Sequence, residues 1–185
     1  MSENKVANVS PQINVAFSAP DFLAPDPDSV NDTATDENTI FNWGGVKIVK
    51  LSPGVVVKFG PHVTATEAKS MVFVSEKTMV PVPKVFACYS YGPIERDVED
   101  YGSLFDTYIF MSYVEGQTLD TVWESYNEIT KRCIADQLKQ CFRDLRSISG
   151  GTYLGSIDRG PVTDPILSNS PNKGWTYATS NIYSR

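Results

Sequence analysis

Apolar residues are scattered without a period over the first 39 positions and become regular only from Ile40 onward. Residues 1–39 mix Pro, Asn, Ser, Asp and Thr, a composition that predicts an extended or disordered arm. Val46-Lys47-Ile48-Val49-Lys50-Leu51 and Val55-Val56-Val57-Lys58-Phe59, separated by Ser52-Pro53-Gly54, predict a hairpin whose second strand ends at Pro61. Alternation sets Val55, Val57 and Phe59 on one face, with Val56 and Lys58 on the other. From Thr64 to about Thr78 the period becomes helical. Ala68, Met71, Val72 and Ser75 form one stripe and Glu67, Met71 and Val74 the adjacent one, so Glu67 leans toward the buried side.

Pro81 and Pro83 then break the chain before Val85-Phe86-Ala87-Cys88-Tyr89, and Tyr108-Ile109-Phe110-Met111-Ser112-Tyr113-Val114 is a further apolar run of strand type. Together these segments predict a small antiparallel sheet. Glu115-Gly116 ends the last strand, and Leu119, Trp123 and Tyr126 recur at helical spacing. Ile134, Leu138, Cys141, Leu145 and Ile148 make the clearest amphipathic stripe, a helix of about 18 residues stopped by Gly150-Gly151 and expected to be core along with Trp123, Cys133 and Cys141. Beyond Gly160 the composition is again rich in Pro, Ser and Asn. The expected class is α+β.

Composition narrows the function classes. A chain of 185 residues with 41% hydrophobic content can bury one sizeable core. The formal charge of −6 resides in the first 39 residues, where seven acids face Lys5 alone, and the remainder is balanced. A neutral body offers no basic footprint for nucleic acid or for an anionic membrane. With no basic-then-apolar leader and no run near the ~20 apolar residues of a span, the expectation is a cytoplasmic protein. Three cysteines are too few for a disulfide framework, and Cys133 and Cys141 on one helix would lie ~12 Å apart along its axis. With His62 the only histidine, no zinc cluster can be assembled.

The chemistry-bearing pair is Lys58 and, nine residues on, Glu67. A strand lysine facing a helix carboxylate suits phosphate binding, because the ammonium compensates phosphate charge and the carboxylate keeps it charged and aimed. Each residue has a plainer reading. Lys58 can be a solvated edge residue, and Thr64-x-x-Glu67 at a helix start can be a capping box. Neither Gly44-Gly45 nor Ser52-Pro53-Gly54 forms a glycine-rich phosphate loop. His62 reads as a surface loop residue, Asp158 in Ile157-Asp158-Arg159-Gly160 as a loop aspartate, and Asp164, Asn169 and Asn172 as tail residues.

Val-Val-Val-Lys-Phe-Gly-Pro, Thr-Glu-Ala, Val-Pro-Val-Pro-Lys-Val, Tyr-Ile-Phe-Met-Ser-Tyr-Val-Glu-Gly-Gln-Thr-Leu, a Trp-bearing helix and Leu-Arg-Ser-Ile follow one another in this order. Over about residues 40–162 the chain resembles the fungal aminoglycoside phosphotransferase-like family, of protein-kinase-like fold. The resemblance implies a kinase-like small lobe and connector over 40–115, a partial helical large lobe over 116–160 and an irregular tail over 161–185. It also implies ATP as cofactor. Lys58 would touch its phosphates, Glu67 would pair with Lys58, and Met111 to Glu115, with Met111 and Tyr113 as named contacts, would receive the adenine edge through main-chain groups. Mg²⁺ is a family expectation whose ligands are absent here. Phosphoryl transfer needs an aspartate base and an Asn and Asp on the metal, and the sequence holds no such motif, so no catalytic residue is assigned. The expected protein is a truncated phosphotransferase-family member that binds nucleotide without transferring phosphate, its small-molecule phosphate acceptor unknown. Two alternatives stand beside it: a non-enzymatic interaction or pseudokinase module that self-associates through exposed apolar surface, and an active kinase if a longer native product exists.

Overall fold

The computed structural model describes residues 10–149 together with 153–154, 156–157 and 175–176. Its core is a six-stranded antiparallel sheet in the order β1-β5-β6-β4-β3-β2. The strands are β1 (Gln12–Ser18), β2 (Thr39–Trp43), β3 (Val46–Ser52), β4 (Val55–Gly60), β5 (Val85–Gly92) and β6 (Asp106–Ser112). The helices are α1 (Pro27–Thr33), α2 (Ala65–Lys77), α3 (Val98–Tyr101), α4 (Leu119–Val122), which runs into a 3₁₀ turn at Trp123–Ser125, and α5 (Glu128–Ser147). The class is α+β, as the periodicity predicts. Residues up to Met71 and Pro83–Gly116 make one compact unit, and Val72–Val82 with the described residues from Gln117 onward make another.

The first unit is organised by β4. It lies between β3 and β6, so both its neighbours are hydrogen-bonded strands. Val57 and Phe59 point to one face, where they join Val49, Ala87, Tyr89, Tyr108 and Phe110 in the core. The aromatic rings stack within it, Phe59 on Tyr108 at 5.1 Å between centroids and Tyr108 on Tyr89 at 4.9 Å. Such offset contacts add to the burial of large apolar surface. The sheet's two-residue hairpin between β2 and β3 is made by Gly44 and Gly45 with φ of 59° and 73°. Both values are left-handed, as the tight turn that matches strand twist requires.

Residues 10–39 overturn the expectation of a disordered arm. β1 pairs with β5 along the edge of the sheet, and α1 inserts Val30, fully buried, into the core cluster. Phe22 packs on Phe86 and Phe110, and the Tyr89 hydroxyl donates to the Pro25 carbonyl at 2.8 Å. The local sequence supports α1: Asp26 caps it by accepting from the Ser29 amide at 2.7 Å, and Pro27 opens its first turn. These bonds hold the Asp26 carboxyl below its usual range. Composition suggests disorder here because the ordering contacts are tertiary, made to strands far along the chain, as in the Pro25–Tyr89 and Phe22–Phe110 contacts. Residues 1–9 lie outside the described part.

In the second unit, α5 starts at Asn127, whose side chain accepts from the Thr130 amide at 2.8 Å. The helix is amphipathic as expected, but no residue of it is buried. Leu138 and Phe142 are about half exposed, Cys133 is exposed and Cys141 only half-buried. The stripe read as core is therefore an open apolar face among the described residues, and Trp123 is half-buried. Leu119, Trp123, Ala135 and Leu138 line a groove of about 390 Å³ with Asp120 and Glu124 beside them. Tyr153–Leu154 and Trp175–Thr176 form a two-stranded antiparallel pair, β7 and β8. The expected helix stop at Gly150-Gly151, Asp158, and Asp164, Asn169 and Asn172 lie outside the described residues.

Candidate functional site

Lys58 is on an interior strand, which disposes of the solvated-edge reading. Alternation turns it away from the aromatic core, toward the face on which α2 begins. Glu67, in the first turn of α2, meets it there: Nζ donates to Oε1 at 2.6 Å and to Oε2 at 2.8 Å. The side chains are 23% and 37% exposed, so the pair is neither fully dry nor a free surface contact. A carboxylate with both oxygens on one ammonium is a charge-assisted arrangement. It uses Glu67 as the ion-pair reading expects, and among the described residues the carboxylate makes no capping-box bond to the Thr64 backbone.

Strand register defines what else shares this face. Ile48, Lys58, Ile109 and Cys88 lie opposite one another across β3, β4, β6 and β5, and Lys50, Val56, Met111 and Val85 form the next row. Opposed residues in an antiparallel ladder share a face. The result is a platform of aliphatic side chains carrying two ammonium groups, Lys58 and Lys50. Lys50 Nζ sits 4.0 Å from the ring centroid of Tyr113, a cation–π contact at the end of β6. The Cys88 thiol is buried on this side of the sheet, and desolvation pushes its pKa up to about 11, with Glu67 adding to the rise and Lys69 opposing it.

The segment expected to receive an adenine edge is partly committed to the fold. The Ser112 amide donates to the Lys84 carbonyl at 2.8 Å, the Ser112 hydroxyl accepts from the Lys84 amide at 2.9 Å, and the Tyr113 amide donates to Gly54 at 3.0 Å. Among the described residues the first amide after β6 without a backbone partner is that of Val114, which is exposed. Met111 ends its row of the platform and Tyr113 follows β6, but Val114, which side-chain chemistry could not single out, carries the free main-chain donor. Only the hydrogen-bond ledger of the folded chain reveals it.

No group of three or more His, Cys, Asp or Glu side chains among the described residues comes together to hold a metal ion. No helix among the described residues is long and apolar enough to cross a membrane. No family model, curated protein or solved structure matches this chain.

Proposed function

We propose that the chain is a nucleotide-binding, kinase-like small lobe with its connector and first large-lobe helices, which binds ATP but does not transfer phosphate alone. The observation that carries this reading is the two-oxygen grip of Glu67 on Lys58 from an interior strand. A lysine placed there for packing alone would be poorly chosen, because burying an ammonium costs more than burying an aliphatic side chain of similar volume. A part-exposed lysine aimed by a carboxylate is suited to an anionic ligand. Of the rows beside it, Val56, Val85 and Ile109 are buried, and half-buried Met111, near the strand end that bears the free Val114 amide, is the part suited to meet a flat base. ATP titrated into the whole protein by calorimetry tests the reading. Binding that Lys58→Ala weakens at least tenfold is the expected result, and equal binding by the variant overturns it.

A second reading draws on α5. A 20-residue amphipathic helix without a buried residue is an association surface of the kind that monomers rarely expose. Light scattering decides it: a larger assembly that Leu138→Glu dissolves is expected, and a monomer at all concentrations refutes it.

A further inference from the structure

We propose that His62 is a positioning residue that clamps the Gly44–Gly45 turn at the phosphate end of the Lys58 strand; this deepens the nucleotide reading and rests on it. His62 is exposed, yet its ring is not loosely disposed. The Cδ2 and Nε2 edge packs against Gly45, where a methyl group would drive into the imidazole, and the Cε1 and Nδ1 edge faces Gly102, where a Cβ would come within 3.0 Å of Cε1. The imidazole thus fills a slot whose two walls are glycines from separate loops, one between β2 and β3 and the other between α3 and β6.

The same turn is tied down through the backbone. The His62 amide donates to the Gly45 carbonyl at 3.4 Å, and a Cβ at Gly60 would collide with that carbonyl oxygen, so the two chains approach as only glycines permit. Gly60 is two residues beyond Lys58, about 7 Å along the strand, so the hairpin tip that packs on Gly60 lies at the end of β4 nearer Lys58. Gly44 behaves differently from Gly45. Its added Cβ would meet nothing within 4 Å, so its side of the turn is open while the other is pinned. A turn pinned at Gly45 and open at Gly44, at the strand end nearer Lys58, is suited to approach phosphate oxygens closely, and its effectiveness depends on the clamp, because a turn free to lift would lose its binding energy to ordering.

The test pairs amide hydrogen exchange with ligand titration on the full chain. In His62→Ala the Gly45 and Val46 amides exchange at least tenfold faster, and the affinities for ATP and ADP fall at least fivefold while that for adenosine stays within twofold. His62→Phe, which refills the slot without ring nitrogens, restores both. Unchanged exchange in His62→Ala overturns the clamp. Faster exchange with unaltered ATP affinity, or an equal loss for adenosine, overturns the phosphate role. A wild-type protein that binds none of the three ligands removes the nucleotide reading and the phosphate role with it, while the exchange arm independently shows whether the ring holds the turn.

Discussion

Replacing Lys58 by Met and Glu67 by Gln, singly and together, measures how far the ion pair is part of the fold rather than a decoration of it. At an effective dielectric of ~20, two unit charges ~4 Å apart attract by about 4 kcal/mol before any desolvation is counted. The side chains are 23% and 37% exposed, so solvent screening and lost hydration remove a large part of that attraction. The two-oxygen geometry, with contacts of 2.6 and 2.8 Å, recovers some of it. The coupling energy expected from urea unfolding of the four proteins is about 1–2 kcal/mol. Each single variant should be less stable than the double variant predicts by addition, since it leaves one charge in a half-dry site without its partner. A coupling below about 0.5 kcal/mol would place the pair with ordinary surface contacts and refute the argument that Glu67 aims Lys58.

Two further outcomes follow from burial. Val30→Ala removes two methyl groups from a fully buried position, about 1.6 kcal/mol of transfer energy with a cavity term that brings the loss to about 2–3 kcal/mol. Val15→Ala, two-thirds exposed on β1, should cost almost nothing, and equal urea midpoints for the two variants would return residues 10–34 to the status of an arm. Cys88 should resist a thiol reagent that labels exposed Cys133 in the native protein. Because its folded pKa is raised from 9.0 to about 11, its contribution to stability is complete below about pH 9 and is lost as pH climbs through 11. Cys88→Ala should flatten the fall in melting temperature over that window, and an unaltered fall would show that the thiol is not desolvated.

Local signals carried the elements whose order is set by neighbours in sequence. The β3–β4 hairpin, the start of α2 and the amphipathic α5 are legible because strand alternation and the 3.6-residue period are written in contiguous residues. Alternation sets Lys58 on the face opposite Val57 and Phe59 and the helical period leans Glu67 inward, but that the two meet is implied by the resemblance and not by either period. What lay beyond reach was set by distant partners. Ile13-Asn14-Val15-Ala16-Phe17 alternates weakly, and only pairing with β5 makes it a strand. Asp26-Pro27 followed by Ser29 is a capping signature that the surrounding Asp and Pro content obscured. The slot around His62 is walled by Gly45 and Gly102, with Gly60 against the Gly45 carbonyl, an approach that no spacing rule brings together.

The N-terminal segment also bears on the site. Val30 and Phe22 cover the aromatic face of the sheet, so that face is closed by the chain's own residues and its Val57, Phe59, Tyr108 and Phe110 are committed to packing. The other face carries Lys50 and Lys58 in rows otherwise made of Ile48, Val56, Ile109, Met111, Val85 and Cys88, whereas Lys47 pairs with Phe59 on the aromatic side. A sheet optimised for stability alone would place aliphatic side chains in both rows, since a partly buried ion pair is commonly no better than a well-packed apolar pair. Keeping the ammonium, giving it a carboxylate on the first turn of a helix, and setting a clamped glycine turn at the end of its strand are three local choices that fold stability does not require. They share one consequence: a positive centre fixed by a carboxylate on the face that the N-terminal segment leaves alone.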